Sequence, residues 1–592
     1  MPASHLSLAF QPAGAMAVDS QALYSDGWLT VAAAGIHPAP RLYRLADGRI
    51  AILHGHPIAD GQRSDRCVVS ALAKARPVED IVRTLDGSFL ILLYDPGQRR
   101  LQILNDRFAG FALFYRATPD GGLAGSTSFR LALETARAAG GGQIDPDQVL
   151  VFLWLRRLLG EKTLARDILY QRSASILESS ADGIALRTYW QPDYGGNHPR
   201  GTALVHAIAD ALQDSMRTHM SDERRFGLLL SGGLDSRALA AAAPASLACF
   251  TTCLTRNNEY HVAHDVADLL SAQHVFIPRP LDIFDGRLDD ASALGGMQVY
   301  NEAQFLGYGP QVAPLADTLF IGLGLDIFFG GLYLPKKPVN ILGRQALHHR
   351  LLPIPQDIAD FYAGAVKYRL QSSSPLLPLE PFAASRAGNV VRHEVEAILA
   401  RGRALGANGY DLWEYMHVHN LSRHYSFPMM ASVRTFAECR APGLSNAAFD
   451  IALAMRAEDK LDGTPYQKAI ARLNPAMMAI RNANTNLPAS WSLRQQTAAK
   501  AAFALLSRVG IANRARSPGW QDRSWPAPRA QLDASPQLMA TLEELPRSET
   551  LGALGLFNRA ALDNILAEHQ ASQHDHTVLL NLLLTLHSVL RP

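Results

Sequence analysis

The chain reads as two folded units in series: an α+β domain over residues 1–190, a linker over 191–203, and an α/β domain over 204–592 whose last part is largely helical. Three observations predict this. Short apolar strands separated by turn signals fill the first unit, and helix-length amphipathic patterns alternate with short apolar strands from Gly201 onward. Between them, Gln191-Pro192-Asp193-Tyr194-Gly195-Gly196-Asn197-His198-Pro199 has the polar, glycine- and proline-rich character of a domain boundary.

In the first unit, strands are predicted at Leu6–Phe10, Arg49–His54, Phe89–Tyr94, Leu101–Asn105 and Ala112–Arg116, with turns at Asp47-Gly48, Asp95-Pro96 and Asp120-Gly121. Helical patterns fall near Ser70–Ala75 and Pro146–Leu158. In the second unit, the strands Phe226–Leu230, Ala248–Leu254, His274–Ile277 and Thr318–Gly322 alternate with helices, which argues for a parallel sheet. Beyond about residue 345 the pattern is helical, with one helix over Tyr410–His424 and an apolar one over His576–Leu590.

Composition excludes several classes. Apolar content of 48% and charged content of 19% are ordinary for a globular protein. A formal net charge of +2, without a long basic run, gives no electrostatic footprint for nucleic acid. The four cysteines, Cys67, Cys249, Cys253 and Cys439, have neither metal-site nor disulfide-framework spacing. No run of eighteen apolar residues and no signal-peptide pattern occurs, so a cytoplasmic protein without membrane partners is expected.

The most informative segment is Ser231-Gly232-Gly233-Leu234-Asp235-Ser236. An apolar strand precedes it and the alanine-rich run Arg237–Ala243 follows, so a glycine turn opens onto a helix N-terminus. Glycines let main-chain N–H groups approach phosphate, and the helix dipole adds positive potential. Asp235 stands where a Walker loop has Lys, and an acidic residue beside phosphates suits Mg²⁺. The expected ligands are ATP, bound by its pyrophosphate, and Mg²⁺. An ordinary glycine turn with Asp235 as a helix-capping carboxylate is the bland alternative.

The loop resembles that of the ATP pyrophosphatase (PP-loop) families. Further segments resemble class B asparagine synthetases: Leu85-Asp86-Gly87-Ser88-Phe89, Asn105-Asp106-Arg107-Phe108-Ala109-Gly110 with Leu113-Phe114-Tyr115, Gly322-Leu323-Gly324-Leu325-Asp326-Ile327-Phe328-Phe329-Gly330-Gly331, Glu438-Cys439-Arg440-Ala441-Pro442 and Lys468-Ala469-Ile470-Ala471-Arg472. The resemblance implies an Ntn glutaminase-like αββα sandwich. A PP-loop domain of the adenine nucleotide α-hydrolase kind, with its helical C-terminal part, would follow it.

The departures are informative. The family's glutaminase needs Cys after the initiator Met, whereas this chain reads Met1-Pro2-Ala3-Ser4, and its NG pair is matched by His54-Gly55. A glutaminase-like domain that does not hydrolyse glutamine is therefore expected. In the synthetase segment, Leu323 and Ile327 replace two glutamates while Asp326 is kept. That argues against ammonia as nucleophile and for a larger amine. The resemblance is strongest to lasso peptide cyclases (macrolactam synthetases), which would make the protein an ATP-dependent, AMP- and pyrophosphate-forming carbon–nitrogen ligase. Its partners would be a precursor peptide, a leader-peptide-binding protein and a leader protease. A β-lactam synthetase-like enzyme, an ammonia-dependent asparagine synthetase and a non-catalytic ATP-binding scaffold are the alternatives.

The resemblance also assigns roles. Asp235 and Asp326 would hold Mg²⁺. Ser231, Gly232, Gly233, Ser236, Gly322 and Gly324 would line the phosphates, with Leu229 and Leu254 at the adenine; core packing explains the two leucines equally well. Lys468, one of eight lysines, would face charge developing in the reaction, with Arg472 supporting it one turn later. The plain alternative makes Lys468 an exposed lysine paired with Asp462 or Glu458. Glu414 and Tyr415 are candidates for the base by position alone, Glu438 and Arg440 read as a bracing ion pair, and His417, His419 and His424 lack metal-ligand spacing.

Overall fold

The computed structural model describes residues 4–11, 20–118, 121–194, 199–295, 297–341, 344–364, 378–419, 421–508 and 525–591. Met1-Pro2-Ala3 and part of the expected linker, 195–198, lie outside the described residues.

The N-terminal region is built on two six-stranded sheets whose strands pair antiparallel. One runs in the spatial order Leu169–Tyr170, Phe114–Ala117, Leu123–Ser126, His5–Phe10, Leu29–Ala34, Tyr24–Ser25. The other runs Gly183–Thr188, Ser175–Ser180, Arg100–Asn105, Phe89–Asp95, Ile50–Gly55, Arg41–Arg44. Side chains alternate along each strand. Leu6, Leu8, Phe10 and Val31 of one sheet therefore meet Ile52, Leu90, Leu92 and Ile103 of the other in a shared core. The opposite set, Leu53, Phe89, Ile91 and Leu93, packs on Val68, Leu72, Ile81 and Val82 from the helices Asp65–Leu72 and Val78–Thr84. Phe89–Asp95 is apolar at almost every position because both its faces are covered. On the far side, Phe114 packs edge-on against Phe129 of the helix Phe129–Ala138. The layers run helix, sheet, sheet, helix.

The second region holds a five-stranded parallel sheet in the order His274–Pro278, Ala248–Cys253, Phe226–Leu229, Thr318–Phe320, Glu438–Arg440. The backbone moves outward from Phe226–Leu229 in one direction, then returns to build Thr318–Phe320 on its other side. Connections leaving two adjacent strands in opposite directions open a crevice at their C-terminal ends. The loop Ser231–Gly233 follows the first of those two strands, and Gly322–Asp326 follows the second.

Four corrections to the sequence reading concern local structure. The E-x-R-x-P element supplies a fifth strand, Glu438–Arg440, too short to show periodicity. A hairpin, Lys336–Ile341 with Arg344–Leu351, stands where helix is expected from about 345. The helix expected over Tyr410–His424 is broken into Gly409–Val418, a 3₁₀ turn at Leu421–Arg423, and Ser426–Val433. Pairing also recruits strands that have no strong local signal, such as Leu29–Ala34 and Ser175–Ser180.

The helix Pro146–Leu155 is buried from Gln148 to Leu155 and joins the two regions in one continuous core. Its Gln148 Nε2 donates to Glu394 Oε1 at 3.3 Å, and Lys162 pairs with the same carboxylate. The apolar helix Thr577–Leu590 is buried too: Tyr300 Oη donates to Asn581, and Arg137 of the first region donates to Leu590 O.

Candidate active site

The loop after Phe226–Leu229 is shaped by its own serines. Ser231 N donates to Ser236 Oγ at 3.0 Å, the two hydroxyls lie 3.1 Å apart, and Gly233 N donates to Ser231 Oγ at 3.2 Å. The helix Leu234–Ala242 opens immediately afterwards, with Gly233 at its extended cap. Its first-turn N–H groups and positive dipole end lie at the crevice, the arrangement that binds phosphate.

Asp235 and Asp326, both half-buried, come together across this crevice. Removal from water, followed by the charge of Asp326, pushes the Asp235 carboxyl well above its ordinary range. Against this, Tyr466 Oη donates to Asp235 Oδ1 at 3.0 Å. Asp326 is also raised by removal from water; Ile327 N, donating to its Oδ1 at 2.9 Å, and the Lys336 ammonium oppose the shift. Lys336 in turn donates to Gly331 O at 2.8 Å.

The glycines let these pieces approach. A Cβ on Gly322 would lie 2.9 Å from the carbonyl carbon of Asp235, its Cβ, and Ser236 N. Gly324 has φ +91°, and a side chain there would also strike Leu444.

Two half-buried carboxylates with so little compensating charge are a hard-oxygen donor set that suits Mg²⁺. Among the described residues no group of three or more His, Cys, Asp or Glu is gathered as a metal site. Asp235 and Asp326 fit the kind of Mg²⁺ site completed by substrate phosphates and water. Leu229 and Leu254 are half-buried at the ends of adjacent strands.

Lys468 and Arg472 belong to the helix Thr464–Leu473, and Glu414 to the helix Gly409–Val418. The helix Thr464–Leu473 turns Tyr466, Ala469 and Ile470 inward, while Lys468 and Arg472 are exposed. Spacing of i, i+3, i+4 among Tyr466, Ala469 and Ile470 already marks that inner face in the sequence. Lys460 Nζ donates to Glu414 Oε2 at 2.6 Å in a mostly buried ion pair. Tyr415 lies against His419 in a separate cavity beside Trp190 and Phe449. His417 bonds the Tyr362 hydroxyl at 2.7 Å. Glu438 and Arg440 form a buried ion pair at 2.8 Å, with Arg440 also reaching Asp222 at the N-terminal end of the sheet.

Sequence reasoning missed Arg237. It is buried, and it donates to the carbonyls of Met477, Ile480 and Arg481 at 2.9–3.0 Å. That tie brings the 477–483 segment to the loop, where Ala483 N donates to Gly232 O at 3.2 Å and Asn258 Nδ2 donates to Ala483 O at 3.0 Å. A lone arginine in an alanine-rich run was the available signal.

In the N-terminal region, Asp106 accepts from Phe89, Phe108 and Gly110 N at 2.9–3.0 Å and so organises its turn. His54 is buried with its ring 4.2 Å from Phe111, and burial holds it neutral by lowering its pKa to about 3. Arg434 of the second region lies 3.7 Å over Phe111 and donates to Gly110 O.

Strand order, loop and carboxylate pair together give a parallel α/β domain with a serine-braced glycine loop and two aspartates at its switch point. Residues 207–308 match the asparagine synthase family model, and the chain is similar at low identity to asparagine synthetases. It is 26% identical over 283 residues to a provisionally assigned asparagine synthetase (glutamine-hydrolyzing) of Mycobacterium tuberculosis (strain H37Rv), covering 44% of this chain and 42% of that one. It is 23% identical over 280 residues, with the same coverage, to asparagine synthetase (glutamine-hydrolyzing) 1 of Bacillus subtilis (strain 168). The aligned part thus spans about two fifths of the length of these relatives. Among solved structures, the glutamine phosphoribosylpyrophosphate amidotransferase of B. subtilis aligns with 47% of this chain and 85% of its own, at 9% identity and a TM-score of 0.21. The family match contains the pyrophosphate loop and ends before Asp326. No helix of the described residues is long and apolar enough to cross a membrane.

Proposed function

We propose that the protein is an ATP-dependent amide-forming ligase that activates a carboxylate by adenylylation, and that its substrate is a peptide closed into a macrolactam, as in lasso peptide cyclases. The observation that carries the first part is the pairing of Asp235 with Asp326 beside the serine-braced loop at the switch point of the sheet. Asparagine synthetase family members are ATP-dependent amide-forming ligases that release AMP and pyrophosphate.

A substrate carboxylate oxygen would attack the α-phosphorus of ATP and break its bond to the β-phosphate bridge, releasing pyrophosphate. The loop amides and the helix N-terminus hold the departing phosphates. Mg²⁺, held by Asp235 and Asp326, would neutralise phosphate charge. An amine then attacks the acyl carbon, AMP leaves, and the amine's extra proton is released. Ring closure gains from holding amine and acyl group together.

The macrolactam part is supported by Leu323 and Ile327 in place of acidic residues, and by His54-Gly55 in place of the family's NG pair. His54 is buried on Phe111, and Arg434 is packed over the same ring; on this reading the region is a scaffold. A precursor peptide, a leader-peptide-binding protein and a leader protease are the partners this reading requires.

The test is AMP and pyrophosphate formation by the full-length protein with ATP and Mg²⁺. A candidate precursor peptide is compared with L-aspartate plus ammonia, and with L-aspartate plus glutamine. Cyclisation with loss of one water from the peptide supports the macrolactam reading; asparagine formation replaces it with a synthetase. Asp235→Ala and Asp326→Ala should each abolish both products, and turnover near wild type in either removes that carboxylate from the site.

A further inference from the structure

A cavity of about 130 Å³ lies where the two regions meet, lined by Arg156 and Arg157 from the first and by Glu302, Arg423, His424 and Tyr425 from the second. Its lining is lopsided, with three arginines and one glutamate; Arg157 Nη2 lies 3.4 Å from His417 Nδ1, and the Arg423 guanidinium lies 3.9 Å over the Tyr170 ring. Arg423 is almost wholly buried. Its Nη2 donates to the carbonyls of Gly160 and Lys162, while its Nε and Nη1 have no partner. Buried N–H groups of this kind cost free energy unless an acceptor arrives. His424 is likewise buried, and its Nε2 has no partner while Nδ1 meets Ser426 Oγ at 2.7 Å. Burial lowers its pKa to about 3, so it adds no charge.

Arg156 is placed there at a conformational cost. It ends the helix Pro146–Leu155 with φ +61°, a position that glycine ordinarily takes, and its Nη2 lies 3.5 Å from Glu302 Oε1. The cavity is next to the reaction centre. Tyr333, which lines it, follows Leu332, whose N–H donates to the Asp326 carbonyl at 3.2 Å. The segment that carries Asp326 therefore continues into the cavity wall.

We propose that this cavity is a carboxylate-binding subsite of the same reaction centre. Arg423, Arg156 and Arg157 receive a carboxylate of the acyl substrate other than the one being activated, and Glu302 tunes the pocket by holding Arg156. Arginine suits this role because its planar fork matches two carboxylate oxygens. The N-terminal region then takes part in choosing the substrate through residues at the end of a helix. The inference rests on the amide-ligase reading. The carboxylate is either the α-carboxylate of a free amino acid or the C-terminal carboxylate of a peptide.

The test is calorimetric titration of the full-length protein, loaded with Mg²⁺ and α,β-methylene-ATP. The probes are succinate, L-aspartate, and an octapeptide carrying one glutamate side chain and a free C-terminus, beside the same peptide amidated at its C-terminus. At least one probe should bind the wild type. Arg423→Gln and Arg156→Gln should each weaken that binding tenfold or more, and Glu302→Gln should tighten it severalfold, because it frees Arg156. The probe that shows this pattern names the source, and amidation should abolish binding of a peptide that uses its C-terminus. Absence of binding by every probe overturns the proposal, as does binding indifferent to the three substitutions. Nucleotide affinity is measured on each variant, since its absence in the wild type defeats the ligase reading instead. If Arg423→Gln does not fold, the opposite signs at Arg156 and Glu302 decide.

Discussion

Gly322→Ala places one methyl group where the strand Thr318–Phe320 runs on past the pyrophosphate loop. The added Cβ would sit 2.9 Å from three atoms: the carbonyl carbon and Cβ of Asp235, and Ser236 N. Two of these belong to the backbone at the first turn of a helix that Arg237 ties to three carbonyls, so they cannot rotate aside. Ordinary van der Waals contact begins near 3.4 Å, so relief requires the two segments to part by about half an ångström. Overpacking of this kind costs about 1–3 kcal/mol. The larger effect is on function, because the displacement separates the loop from the segment carrying Asp326. Misplacing reacting groups by as much as 1 Å costs on the order of 10² in rate. The expected outcome is a folded protein with pyrophosphate release reduced about tenfold to 10²-fold. The assay is continuous pyrophosphate detection beside a denaturant melt, with Gly388→Ala as control. Gly388 lies in the helix Pro381–Ala404 with nothing within 4 Å of an added Cβ, so its substitution should leave turnover unchanged. Turnover of Gly322→Ala within twofold of wild type would refute the claim that close approach here sets the geometry.

The remaining predictions concern charge. Asp235→Asn should abolish turnover yet raise the unfolding midpoint in EDTA. The raised carboxyl of Asp235 favours the folded state below its unfolded pKa, and that contribution is lost as pH rises through the higher folded value. Metal-free wild type should therefore lose stability between acid and neutral pH more steeply than the variant, and equal slopes in urea melts would count against it. Tyr466→Phe removes a charge-assisted hydrogen bond worth about 1.5–3 kcal/mol. It should push Asp235 further up and move the acidic limb of the turnover profile to higher pH, whereas an unmoved limb means that Asp235 does not titrate there. Lys468→Ala should turn over within a few-fold of wild type because the side chain is exposed. A loss of about 10²–10³ in single-turnover AMP formation, the cost of removing one transition-state charge stabiliser, would restore the role implied by its motif.

Much of the architecture is written in local pattern. Phe226–Leu229 is apolar enough for a buried parallel strand, the glycines that follow permit a phosphate turn, and the helix begins where the loop ends. These features depend on neighbours a few residues apart, so the sequence by itself determined the strand, the glycine turn and the helix that carries Asp235. Tertiary structure decided what depends on distance. It made a strand of Glu438–Arg440, since three residues have no period and pair only because Thr318–Phe320 offers an edge. It paired Glu414 with Lys460, 46 residues away, in a mostly buried ion pair. It set Tyr466, and not Lys468, on Asp235, because burying Ala469 and Ile470 fixes the rotation of the helix. Above all, it placed the strands that precede Asp235 and Asp326 side by side, where the backbone reverses its direction of travel across the sheet. Two aspartates 91 positions apart have no mutual signal in the sequence; they share a field only once the sheet has formed.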